Sequence, residues 1–154
     1  MPRNKSEQLH LHLCVMQIEL HLKIIGWLLI ILGLMHVAFP RRFNWKTEMA
    51  ALSLLNRQMM YVHTFFISLS LLLMGWLCVA SAAELHTTPL GRRISLGMFV
   101  FWLARLFCQF FVYSPVLWKG KGFETRVHIL FSVLWAYFCM VFLLAYMGIG
   151  AKSL

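Results

Sequence analysis

The sequence has no aspartate and only five glutamates among its 154 residues. Charged residues of both signs make up 12% of the chain, whereas a globular domain carries roughly 25%. So apolar a chain is not disordered, because a disordered segment is too polar to bury a core. Four cysteines, three of them inside apolar runs, argue against a disulfide scaffold. Four prolines and nine glycines without a period exclude collagen-like and low-complexity classes. No Walker loop, dinucleotide fingerprint, nucleophile elbow or His-Glu-x-x-His pair occurs. No internal repeat is visible, which speaks against an inverted-repeat transporter. A secretory leader is also a poor fit. Arg3 and Lys5 could head one, but His10, His12, Glu19 and His21 interrupt the following stretch and no cleavage pattern follows.

What is present is hydrophobic: 61% of residues are apolar and the mean hydropathy is +0.76. A helix needs ~20 apolar residues to cross a bilayer. Four runs qualify, at about 20–39, 59–83, 94–118 and 127–150. The first needs Lys23 to reach the interface along its aliphatic stem. In lipid every backbone polar group must be satisfied internally, so continuous apolar runs of this length are read as helices. The expected fold is all-α: a polytopic, four-transmembrane-helix bundle, 1–154 forming a single membrane domain. The 7–23 stretch is amphipathic and is expected to lie on or lead into the bilayer. The 46–58 stretch, KTEMAALSLLNRQ, reads as an interfacial helix or an extension of span two. Loops 86–93 and 119–126 carry the breakers Pro89, Gly91, Gly120 and Gly122.

The net charge of +9 sits in short basic clusters between the apolar runs. That placement suits anionic lipid headgroups and not nucleic acid. Sidedness is not encoded: Arg41, Arg42, Lys46, Arg57, Lys119, Lys121 and Arg126 oppose Arg3, Lys5, Lys23, Arg92, Arg93 and Lys152. The expected location is a multi-pass integral protein of a bacterial inner membrane.

The polar residues sort to one side. His36 lies near the exit of span one, and Asn56, Arg57, Gln58 and His63 near the entry of span two. Span three carries Arg105, Gln109 and Tyr113 towards its exit, while Glu124 and His128 stand at the entry of span four. Helices that alternate in direction put all of these in the same leaflet. Trp102, Arg105, Gln109 and Tyr113 follow i, i+3, i+7, i+11 and form one stripe. Glu124, His128, Ser132, Trp135 and Cys139 form another on span four. Both stripes are expected to face inward, with His36 and His63, around one polar pocket.

Arg105 carries the strongest signal. It stands about eleven residues from one end of the 94–118 run and about thirteen from the other, ~16–20 Å at ~1.5 Å per residue. A charge there costs at least about 2.5–3.5 kcal/mol, so it requires a partner. Glu124, an anionic ligand or backbone carbonyls would serve; the competing reading has Gln109, Tyr113 and carbonyls tie it down to lock the bundle. Arg105, Gln109 and Tyr113 are thus candidate cofactor-binding residues. His36, His63 and His128, with Glu124, are candidate ligands for a metal ion or haem iron. The competing reading makes the histidines hydrogen-bonded interfacial residues and Glu124 a complement to its helix dipole. His10, Cys14, Gln17 and His21 align at i, i+4, i+7, i+11, but read best as the polar side of an interfacial helix.

The Glu124-x-x-x-His128 spacing is similar to an intramembrane motif of haem A synthase-like proteins, which have twice the spans. The first span and its Pro-Arg-Arg-Phe ending resemble those of small four-helix DoxX-like membrane proteins. No residue roles are carried over from either.

Three function classes follow. One is a redox or metal module holding haem or a metal ion. The second binds a quinone or lipid-type ligand, with Arg105, Gln109, His63 and Tyr113 on its head. The third is an accessory subunit of a larger membrane complex, or a homo-oligomer, in which the polar cluster only fastens helices. Whether the protein is an enzyme is left open. An even number of spans puts both chain ends on one side of the membrane. Cysteine-accessibility mapping is expected to find them there, and opposite sides would refute the four-span reading.

Overall fold

The computed structural model of the chain describes residues 5–42, 44–114 and 120–148, without the side chains of 5–12 and 14. The described residues are all-α. The elements are α1 (Lys5–Arg42), α2 (Trp45–Glu48), α3 (Leu54–Ala80), α4 (Ala82–Thr87), α5 (Pro89–Phe111) and α6 (Gly122–Met147). Four helical stretches are long and apolar enough to cross a membrane: Val15–Arg42, Leu54–Ala80, Pro89–Phe111 and Gly122–Met147. The shortest has 23 residues, about 35 Å at ~1.5 Å per residue, against a hydrocarbon core of ~30 Å. Large apolar side chains face outward along them; Trp76 is 66% exposed and Phe65 62%. Such a surface is stable in lipid and not in water. The protein is a small multi-pass membrane protein.

Helix ends follow local chemistry. Ser53 caps α3, its hydroxyl accepting from the Asn56 N–H at 3.3 Å. The stretch before span two therefore divides into the short α2 and an extension of α3 by five residues beyond the expected start at Met59. Thr88 caps α5: its Oγ accepts from Gly91 N–H at 2.9 Å and donates to the Glu84 carbonyl at 2.9 Å. Pro89 thus opens α5 at a position where its missing N–H costs nothing. The 86–93 segment expected as a loop is mostly the end of α4 and the start of α5. α5 ends at Phe111, short of the expected 118. Pro115 supplies the reason, since the residue before a proline avoids helical backbone. The expected ends of spans three and four, at 118 and 150, lie outside the described residues.

The chain forms two compact units, Lys23–Ser81 and Met1–Leu22 with Ala82–Leu154. In the first, α1 and α3 meet through small residues. A Cβ added at Gly26 would lie 2.8 Å from the Gly75 carbonyl oxygen, and one at Gly75 would lie 2.7 Å from the Gly26 oxygen. One heptad along α1 and one heptad back along α3, Ser68 Oγ donates to the Gly33 carbonyl at 2.8 Å. Both helices therefore repeat a small residue every seven positions, in antiparallel register, which lets the backbones approach closely.

In the second unit α5 and α6 run antiparallel. The pairs Arg92–Tyr146, Trp102–Trp135 and Gln109–His128 fix their register. α4 packs against the start of α5, where buried Ser95 donates to the Leu85 carbonyl at 2.9 Å. His21 of α1 bonds the Tyr137 hydroxyl of α6 at 2.8 Å.

Gly75→Val is expected to destabilise the first unit by about 1–3 kcal/mol, because the added methyls meet backbone that cannot yield. Gly97 has nothing within 4 Å of its added Cβ, so Gly97→Ala should leave stability unchanged or raise it by up to ~1 kcal/mol. Thermal unfolding of both variants in one detergent checks the contrast.

Candidate functional site

The predicted stripes on spans three and four come together on α5 and α6. Antiparallel register at a spacing of three to four residues sets Trp102 against Trp135, their rings stacked at 4.8 Å and 18°. Both are buried, and Phe138 closes on Trp102 edge-on at 4.9 Å. Arg105 lies one turn further along α5 and is half-buried. Its Nη1 donates to Gln109 Oε1 at 3.1 Å. The guanidinium carbon stands 5.3 Å from the Trp135 ring centre and 5.5 Å from that of Tyr113. Contacts of this kind between cation and aromatic face contribute about 0.5–2 kcal/mol each. No carboxylate among the described residues pairs with Arg105.

Gln109 is buried and used twice. Its side-chain oxygen takes Arg105, and its main-chain oxygen accepts from His128 Nε2 at 3.2 Å. That carbonyl is among the last four of α5, which have no partner inside the helix. Nearby Val112 and Tyr113 N–H both turn to the Cys108 carbonyl. His128 thus completes the end of α5, and Ser132 Oγ donates to the His128 carbonyl at 2.8 Å. A carbonyl can only accept, so the bond requires the proton on Nε2 and removes that nitrogen as a metal ligand.

The same device closes the opposite end of the pair. Arg92 Nε donates to the Tyr146 carbonyl at 2.7 Å and its Nη2 to that of Met147 at 3.4 Å. These are terminal carbonyls of α6, where Gly148 takes the left-handed cap conformation with φ 59.

The cluster is rich in donors and poor in acceptors. A guanidinium carries five N–H groups, and Arg105 uses one on Gln109 Oε1. The indole nitrogens of Trp102 and Trp135 are buried without a partner. Gln109 Oε1 and the Gln109 main-chain oxygen each already accept one hydrogen bond. Such a site favours an acceptor-bearing or anionic group over a donor.

Glu124 is exposed in the first turn of α6, where an acid complements the helix dipole. His36 and His63 belong to the Lys23–Ser81 unit. Each spends its Nδ1–H on the carbonyl four residues back, Leu32 at 2.8 Å and Met59 at 2.9 Å. Among the described residues no three His, Cys, Asp or Glu side chains group to hold a metal ion. Gln17 is exposed and His21 pairs with Tyr137, while the side chains of His10 and Cys14 lie outside the described residues. Cys78, Cys108 and Cys139 are free thiols.

In the sequence Arg92 stood out only as a basic residue near a span end, and Trp102 and Trp135 only as members of the two inward stripes. Arg92 had a signal: a cation in the first turn of α5 opposes its own helix dipole, so its role lies with another helix's end. The indole pairing had none, since it depends on the register of α5 against α6. No family model, curated protein or solved structure matches the chain.

Trp135→Ala should remove both the stack and the cation contact and destabilise the protein by about 3–5 kcal/mol. Trp76→Ala, at an outward position, should stay within about 0.5 kcal/mol. Unfolding monitored by helical circular dichroism in detergent checks both.

Proposed function

We propose that this membrane protein binds an amphipathic ligand against α5 and α6. Arg105 holds the polar head, assisted by the Tyr113 hydroxyl, and the exposed Phe107, Phe110 and Phe111 flank the tail. The observation that carries this reading is the half-buried guanidinium of Arg105, which has no carboxylate partner among the described residues. A charge in an apolar span is costly unless compensated, and Gln109 and two aromatic faces supply dipoles and quadrupoles but no opposite charge. A haem or metal module is the weaker reading. His128 already donates through Nε2, and no three-ligand group occurs among the described residues.

A second reading has its own support. The caps made by Arg92 and His128 are structural devices, and Arg105 could be a third fastening in an accessory subunit. The two readings separate on one experiment. Protein purified in mild detergent is extracted and its bound amphiphiles quantified by mass spectrometry, for wild type and Arg105→Gln. The expected outcome is about one retained amphiphile per chain, lost in the variant while helical content persists. Equal retention by both would return Arg105 to the structural role.

A further inference from the structure

The remaining question is which chemical class of head group Arg105 takes. Resting on the amphiphile reading, we propose that it is an anionic phosphate and not the neutral carbonyl of a quinone.

Position is the first argument. α5 ends at Phe111, so Arg105 stands six residues from the end of its helix. Its guanidinium reaches further still, to Gln109 at i+4 and to the ring of Tyr113 at i+8. The charge is therefore carried towards the helix terminus, as expected when an arginine stretches to meet headgroups. Exposed Lys121 and Arg126 at the start of α6 oppose one exposed acid there, Glu124. That surplus favours an anionic head group.

Valence is the second. The cluster offers the remaining guanidinium N–H groups and the hydroxyl of the adjacent Tyr113. A phosphodiester monoanion, as in phosphatidylglycerol, presents only acceptors at its non-ester oxygens and cancels the guanidinium charge in bidentate geometry. A quinone carbonyl would accept a hydrogen bond but leave the charge unbalanced. Its reduced form would be neutral as well and would again leave the guanidinium charge unbalanced.

The test uses the whole protein in detergent with four probes: short-chain phosphatidylglycerol, diacylglycerol of the same chains, a decyl-substituted benzoquinone, and inorganic phosphate. Binding is read by native mass spectrometry and thermophoresis. Phosphatidylglycerol is expected to bind about tenfold or more tightly than diacylglycerol. Arg105→Gln should abolish that preference. Because this variant could also loosen the pair, Gln109→Glu is the second. It is nearly isosteric and places a carboxylate where Oε1 now meets Arg105, so it should satisfy the guanidinium internally and remove the preference with the fold intact. Inorganic phosphate binding as well as the lipid would keep the phosphate assignment and make free phosphate its source. Quinone binding without a phosphatidylglycerol preference would overturn the phosphate assignment and leave the amphiphile site standing. A phosphatidylglycerol preference that survives Gln109→Glu would likewise overturn the role of Arg105. Binding of none of the probes would sink both readings.

Discussion

A helix that ends inside or near a bilayer has carbonyls that neither water nor its own chain satisfies, and α5 and α6 solve this for each other. His128, in the second turn of α6, donates to the Gln109 carbonyl at the end of α5. Arg92, in the first turn of α5, donates to the Tyr146 and Met147 carbonyls at the end of α6. Each cap works only in antiparallel register, and the two together fix that register at both ends. A slip by one residue would break the caps and unstack Trp102 from Trp135 at once. The hydrophobic effect does not choose between registers when the surroundings are as apolar as the helix faces, so directional hydrogen bonds must.

The two units reach close packing by opposite means. Between α1 and α3 the backbones approach because Gly26, Gly33, Ser68 and Gly75 leave room. Between α5 and α6 large rings fill the space, with Trp102, Trp135 and Phe138 interlocked edge and face. Small residues yield an interface held by dispersion and one hydroxyl bond. The aromatic interface instead supplies faces for a cation, which a glycine seam cannot do. The cation–aromatic contacts of Arg105 therefore form on α5 and α6.

Much of this was legible in the sequence, for a definite reason. Long apolar runs have one solution in lipid, so four spanning helices followed from hydropathy. The Arg105–Gln109–Tyr113 stripe followed from helical period, because contacts at i+4 and i+8 are set by one helix alone. What depended on a second helix was harder to read. The close approach of Gly26 and Gly33 to Gly75 and Ser68 depends on the register of α1 against α3. Reading span three as continuous through Pro115 put Arg105 near a membrane midpoint. The proline ends α5 early, so the guanidinium lies closer to the helix end and its burial is less costly. His36 and His63 share a depth in the sequence, and each turns its Nδ1–H onto the carbonyl four residues back.

Gln109 is where the structural and chemical features meet. Its backbone oxygen belongs to the cap that fixes α5 against α6, and its amide oxygen holds Arg105. The guanidinium is thereby positioned by the same residue that the helix pair uses to terminate. The amide is neutral, so it orients the cation without cancelling its charge. A carboxylate at this position would have satisfied Arg105 outright and left nothing for a ligand to do. The glutamine at the junction holds the cation in place without neutralising it, which is what the proposed ligand-binding role of Arg105 requires.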